Sequence, residues 1–473
     1  MDNRKFYKME EIEALSVEEV HKLYKEYINP NQTKIFSALP FGNEIFNKAE
    51  GVYMFTSGGK KILDFTGGLG VLGLGHNHPD ILKARLDFQK NKRVEVHKII
   101  FSKYMAVLSN NLSYLLPSNL KKSFFLNSGA EAVEAAIKVC FKSYTNKRKF
   151  ILHSDRSYHG KLIGSGSISG SYFKENQFPV MENCVSYKFN NSTDLENKII
   201  NYNNKGGIYS IIVEPFSAST LESVSDNFMD KLFKLKDKYG FRIIFDEVFT
   251  GFYKSEKMFY FQNFKNKCPD VLCLSKTLGG GKSSISSLIV DEDIYKKAYN
   301  KINDTFLHTT TYNGFGEESI TAIAALSIIS ENNFIEKVSN ISKLLKNNLH
   351  KVKEKHGDKI EEIKGNGILN GIVFKSYMSE LGNLVEKIPI NSIKDKSSFL
   401  KKITATAISA ELYEKHNILT SINDSSFSDH LCVSPSLVVS DENIKFFFKS
   451  LDEVLSGNVN LKSLSVILNF LKS

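Results

Sequence analysis

The chain has 473 residues, 42% hydrophobic and 24% charged, an ordinary globular composition with room for two or three core-forming units. Its 62 basic residues against 52 acidic ones give a formal net charge of +10, but the two signs are interleaved, which argues against a basic stripe for nucleic acid. The opening MDNRKFYKMEEIEALSVEEV is charged throughout and no apolar run reaches ~18 residues, which argues against a leader peptide and a membrane span.

Residues 10–28 predict an amphipathic surface helix. GVYMFTSGGKKILDFT (51–66) sets two short apolar runs around Ser-Gly-Gly, a hairpin signature. GLGVLG (68–73) has GxGxxG spacing, but it runs into GHNHP and not into a helix, so a dinucleotide site is not supported. His76 and His78 lack an evident third metal ligand and are expected in a loop. In FFLNSGAEAVEAAIKVC (124–140) a strand ends at Asn127 and Ser128, Gly129 and Ala130 open a helix. Its apolar face is Ala130, Val133, Ala136, Ile137 and Cys140, with Glu134 and Lys138 at i,i+4 as a pair on the other side. Small residues at the helix start let backbone N–H groups approach an anion, aided by the helix dipole. Simple N-capping by Ser128 explains the same residues equally well.

From about 120 to 320 strand-then-helix units alternate, as in a parallel sheet with crossover helices. Beyond about 325 follow long periodic helices, GILNGIVF, a helix near 403–416 and HLCVSPSLVVS, which together make an α+β unit. The final NVNLKSLSVILNFLKS fits an extra amphipathic helix without an assigned role. The expected organisation is an N-terminal helix and hairpin segment (1–75) belonging to the smaller domain, a large domain (76–325) and a C-terminal small domain (326–473). Cys140, Cys184, Cys268, Cys273 and Cys432 form no CxxC pair and no even framework, so reduced thiols in the cytoplasm are expected.

Three predicted strands each deliver a polar group at the carboxyl end. YSIIVEP gives Glu214, FRIIFDEV gives Asp246, and DVLCLSK gives Ser275 and Lys276. In open α/β sheets that edge binds ligands. GGGKSS is not a P-loop, because Lys276 stands where the first glycine of that motif is required. A lysine to hold an aldehyde as an imine, a carboxylate to keep a ring nitrogen protonated and an anion site for a phosphate are the needs of pyridoxal 5'-phosphate (PLP). Lys276 is the candidate for the covalent link and Asp246 for the ring nitrogen. Gly279 to Gly281 would let lysine and cofactor crowd closely.

The chain resembles the class III (ornithine/putrescine-type) aminotransferases of PLP fold type I. The matching stretches are LDFTGGLGVLGLGHNHPDI, LNSGAEAVEAAIK, SYHG, IIVEP, IIFDEVFTGF, PDVLCLSKTLGGG and FLHTTTY, in the family's order over roughly residues 50–440. The resemblance implies a large, mostly parallel α/β/α domain with a smaller α+β domain. It implies that Ser128, Gly129 and Ala130 bind the phosphate. Tyr158 and Val248 would sit on opposite faces of the ring, with His159 and Glu214 in support. Thr311 would reach the phosphate of a partner subunit, which makes a homodimer the active unit. Lys276, once displaced by a donor amine, would move the Cα proton, and a carbonyl acceptor would reverse the sequence in ping-pong fashion.

The pattern also departs from the family. Phe249 follows DEV where relatives place glutamine, and GFYKSE replaces GFGRTG. Relatives acting on α-amino acids carry an arginine three residues before the Pro of PSL; here that residue is Cys432, and no arginine follows Arg242. Lysine substitutes poorly for the bidentate guanidinium, so at least one substrate lacking an α-carboxylate is expected, with a lysine or an N-terminal arginine such as Arg93 as the fallback anchor. An aminomutase, decarboxylase or racemase on the same scaffold is the alternative, and a non-catalytic relative a more distant one.

Overall fold

The structure, a computed structural model, describes residues 5–144, 147–375, 396–422 and 429–457. The single helix expected over 10–28 is two helices, Met9–Ile12 and Val17–Tyr27. Ser16 divides them. Its hydroxyl accepts from Glu19 N and its own N–H donates to the Glu19 carboxylate, a capping box that starts a fresh helix. The strands β1 (Phe46–Glu50), β2 (Tyr53–Thr56) and β3 (Lys61–Asp64) then form an antiparallel meander that contains the expected hairpin.

The central sheet has seven strands: β4 (Leu120–Leu126), β5 (Phe150–Ser154), β6 (Cys184–Tyr187), β7 (Ile208–Val213), β8 (Arg242–Asp246), β9 (Val271–Leu274) and β10 (Ser286–Asp291). Their order is β4-β10-β9-β8-β7-β5-β6, and β10 alone runs antiparallel to its neighbours. Alternate residues enter two separate cores. Ile211, Val213, Ile243, Phe245, Leu272 and Leu274 pack on one face with the helix Asp226–Tyr239. Ile212, Ile244, Val271 and Cys273 pack on the other with the helix Gly129–Lys142. Both faces are therefore covered, which is why these strands are continuously apolar.

The C-terminal part supplies β11 (Ile360–Asn366), β12 (Leu369–Phe374), β13 (Ile418–Leu419), β14 (Ser421–Ile422) and β15 (His430–Val433). Four of them form an antiparallel sheet, β11-β12-β15-β14, while β13 pairs in parallel with β3. Phe65 and Phe447 stack with centroids 4.1 Å apart, joining the same two ends of the chain. The helix expected near 403–416 begins earlier and spans Lys396–His416. The terminal segment NVNLKSLSVILNFLKS lies outside the described residues. Among the described residues no helix is long and apolar enough to cross a membrane.

Candidate active site

The strands β7, β8 and β9 are parallel neighbours, so their carboxyl ends share one edge. Adjacent strands lie about 4.8 Å apart, which sets Glu214, Asp246 and Ser275-Lys276 in one row. The chain leaves β9 through Lys276 itself, in a left-handed conformation with φ 52°, a strain of about 1–2 kcal/mol for a side chain with a β-carbon. Lys276 Nζ donates to Leu69 O at 2.8 Å and lies 5.1 Å from the centre of the Phe249 ring. Burial holds the amine below the usual lysine range, while Asp246 and then Glu214 pull it back up.

Leu69 belongs to a tight turn in which Gly67, Gly68, Leu69 and Gly70 all have positive φ. Asp64 secures its base. One oxygen accepts from Thr66 N at 2.8 Å and Thr66 Oγ1 at 2.6 Å; the other lies 2.8 Å from His76 Nε2. The glycine motif at 68–73 thus builds a support for Lys276. His76 is held by Asp64, and His78 Nδ1 accepts from Asp80 N at the start of the helix Pro79–Lys90. Among the described residues no group of three or more His, Cys, Asp or Glu could hold a metal.

Asp246 is buried. Its Oδ1 accepts from Val248 N at 3.0 Å and its Oδ2 lies 2.8 Å from His159 Nδ1. Ser169 Oγ accepts from His159 N, while His159 Nε2 is buried without a partner among the described residues. Glu214 accepts from Tyr158 N at 2.9 Å and Ala218 N at 3.0 Å, and burial pushes its carboxyl up to about 7. The Tyr158 ring is 44% exposed, although its backbone is tied to this buried acid.

At the amino end of the helix Gly129–Lys142, Ser128 Oγ accepts from Glu131 N at 3.3 Å. The Glu131 carboxylate accepts from Asn127 N and Ser128 N. Ser128 is therefore an N-cap, and the N–H groups outside this capping box are those of Gly129 and Ala130. A β-carbon on Gly129 would stand 2.9 Å from Val248 Cγ1 and 3.6 Å from Ser275 Cβ. A β-carbon on Gly160 would stand 2.6 Å from that of Ala130. The SYHG loop, Val248 and the end of β9 thus converge on the helix start. Thr311 is exposed in the turn before the helix Gly316–Ile329.

Two expected details differ. Glu134 and Lys138 do not meet: Glu134 accepts from Ser165 N at 2.7 Å, and Lys138 Nζ donates to Leu307 O at 3.0 Å. Both side chains are drawn outward to neighbouring segments. Gly280 and Gly281 make room for Ile81 and Leu72 and not for the lysine, since β-carbons there would meet those side chains at 2.6 and 2.8 Å. The sequence reading also passed over Glu247, Lys254 and Thr277, all wholly buried around Lys276 and Asp246. Glu247 stood in the quoted DEV motif, but nothing in the spacing marked Lys254 as interior.

The profile of the family described as Aminotransferase class-III matches residues 40–455. The chain belongs to the class III aminotransferases. It is a PLP-dependent transaminase, as members of that family are. The fold of the aminotransferase is similar to that of adenosylmethionine-8-amino-7-oxononanoate aminotransferase from Methanocaldococcus jannaschii, at 25% identity and TM-score 0.78 over 92% of this chain and 98% of that one. It is also similar to ornithine aminotransferase from Toxoplasma gondii, at 18% identity and TM-score 0.77 over 96% and 99%. Taurine:2-oxoglutarate aminotransferase from Bifidobacterium kashiwanohense, solved with PLP and glutamate, matches at 22% identity and TM-score 0.77 over 93% and 98%. The residues present in the aminotransferase fit the cofactor: a buried acid, an amine held below its usual range, and bare glycine backbone at a helix start.

Proposed function

We propose that the aminotransferase moves an amino group between an amine of ω-amine or diamine type and a carbonyl acceptor, in a ping-pong cycle centred on Lys276. The observation that carries this reading is the row of Glu214, Asp246 and Lys276 on one sheet edge, beside the helix start at Gly129. Lys276 Nζ is the amine that would bond the cofactor aldehyde. When bound, PLP supplies an electron sink for the charge left on the substrate carbon as its proton departs. Once released, Lys276 Nζ takes that proton, and burial, which lowers its pKa, favours the neutral amine this requires.

The other residues hold and orient. Asp246 would face the ring nitrogen, kept in place by His159 and Val248 N. Tyr158 and Val248 would bracket the ring, and the N–H groups of Gly129 and Ala130, next to Ser128, would hold the phosphate. Glu214 anchors the Tyr158 backbone. Thr311 would serve the partner's site in a homodimer. The exposed apolar residues Ile99, Phe101, Ile302, Phe306 and Tyr312 support such an interface. Residues 1–75 and 326–473 would form the smaller domain and 76–325 the larger, an assignment supported by β13 pairing with β3.

Cys432 supports the substrate class. It lies on β15, two residues before Ser434, whose N–H donates to Phe65 O beside the glycine turn. A thiol there offers no bidentate clamp for a carboxylate. Arg93 lines a cavity of about 410 Å³ with Lys92, His97 and Tyr104, whose walls include none of Lys276, Asp246 and Glu214.

Borohydride treatment of the PLP-loaded protein followed by peptide mapping tests the core of this reading. The adduct is expected on Lys276, and an adduct elsewhere refutes it. A panel of amines scored by bleaching of the visible absorbance tests the substrate class. Efficient turnover with α-amino acids in both half-reactions would overturn that part alone.

A further inference from the structure

Lys254 is a buried amine that the roles above leave unused. Its side chain is 0% exposed, and its Nζ donates to Thr277 Oγ1 at 2.9 Å. Thr277 follows Lys276 in sequence, and its hydroxyl donates to Gly70 O at 3.1 Å. The preceding carbonyl, Leu69 O, is the one that accepts from Lys276 Nζ. Two lysines are thus tied to consecutive carbonyls of one left-handed turn, Lys276 directly and Lys254 through Thr277.

The segment carrying Lys254 is built to hold it inward. Phe252 and Tyr253 both adopt positive φ, 65° and 63°, a strain bulky residues accept only where the surroundings enforce it. Lys254 O accepts from Ile368 N at 3.0 Å, and a β-carbon on Gly367 would run into that same carbonyl. The β11–β12 turn therefore clamps the backbone of Lys254.

We propose that Lys254 is a positioning residue for the reaction: from behind the sheet edge it orients the Thr277 hydroxyl and so fixes the turn from which Lys276 Nζ works. The inference rests on Lys276 being the reactive amine. The charges facing Lys254 are Lys276, of the same sign, and Glu247, while those facing Lys276 are Asp246 and Glu214. Burial and then Lys276 push the Lys254 amine well below the ordinary lysine range, while Glu247 pulls it back up.

The test uses the full PLP-loaded chain with Lys254→Met, Thr277→Val, Thr277→Ser and the Lys254→Met/Thr277→Val double variant. The readouts are kcat and KM. Lys254→Met and Thr277→Val should each lower kcat by roughly tenfold, with KM changed less than about threefold. The double variant should be no worse than either single one, because both break the same link. Thr277→Ser keeps the hydroxyl and should keep kcat. Wild-type kcat in Lys254→Met or Thr277→Val, or an additive double variant, overturns the proposal. If Lys254→Met does not fold, the Thr277→Val and Thr277→Ser pair still decides. Borohydride mapping on the same proteins separates the two readings: an adduct on Lys276 with unaffected variants sinks this inference alone.

Discussion

Asp246 Oδ2 lies 2.8 Å from His159 Nδ1, and the far nitrogen of that buried ring has no partner among the described residues. The other oxygen accepts from Val248 N. Both oxygens are therefore held, and the carboxylate cannot rotate away from the edge it shares with Lys276. Asp246→Asn keeps the shape and one acceptor but removes the charge. We expect kcat/KM to fall by roughly 10²–10⁴-fold, while the unfolding midpoint moves by less than about 5 °C. Steady-state rates and a thermal melt on the same preparation check both halves. A large loss of stability with proportionate loss of activity would make Asp246 a folding residue.

Gly129 is the second site where a small change should be read more by the cofactor than by the fold. A methyl group there would stand 2.9 Å from Val248 Cγ1. Gly129 is the first residue of its helix, where alanine is tolerated without loss of helix stability. Gly129→Ala should therefore weaken PLP retention by about tenfold, equivalent to ~1.4 kcal/mol, beyond whatever the displaced Val248 takes from the melt of the cofactor-free protein. Equilibrium dialysis of PLP measures it.

The strand ends were legible in sequence because buried parallel strands are continuous apolar runs, and a polar residue that terminates one stands out. Glu214, Asp246 and Lys276 were found that way, and β7, β8 and β9 end beside them. The support behind them was not legible. Lys254 looks like any of the chain's many lysines until the fold turns it inward. The glycine motif at 68–73 resembles a failed nucleotide motif, because its purpose depends on Lys276, roughly two hundred residues away in sequence. The break at Ser16 was missed although Ser16 and Glu19 have capping-box spacing, because the apolar periodicity continues across it.

Gly70 has φ 86°, and a β-carbon there would touch the Phe249 ring at 3.4 Å and Lys276 Cδ at 3.6 Å. Gly70→Ala should cost about 1–2 kcal/mol from the left-handed backbone alone. It should also displace the Leu69 carbonyl that accepts from Lys276 Nζ. We expect a fall in kcat of roughly tenfold at unchanged KM, measured with a saturating amine donor. A variant that is destabilised yet turns over at the normal rate would show that the turn does not set the lysine.

Glu247 supplies a pH test that does not involve turnover. It is wholly buried and accepts from Tyr260 N at 2.6 Å, Phe261 N at 2.7 Å and Thr250 Oγ1 at 2.8 Å. Burial nevertheless outweighs these donors and lifts its carboxyl to about 7. In the unfolded chain the same group titrates near ~4.3. A raised folded value means the native state binds the proton more tightly. The associated stability is fully present below about pH 4 and is lost as pH climbs through about 7. Glu247→Gln removes this titration, and Glu214, which titrates alike in both proteins, cancels. The unfolding free energy of wild type minus variant should fall by a few kcal/mol, on the order of ~3, between about pH 4 and pH 7, then level off. Urea unfolding at a series of pH values measures it. A difference that rises with pH would mean that the three donors win over burial and that Glu247 is a stable buried carboxylate facing Lys254.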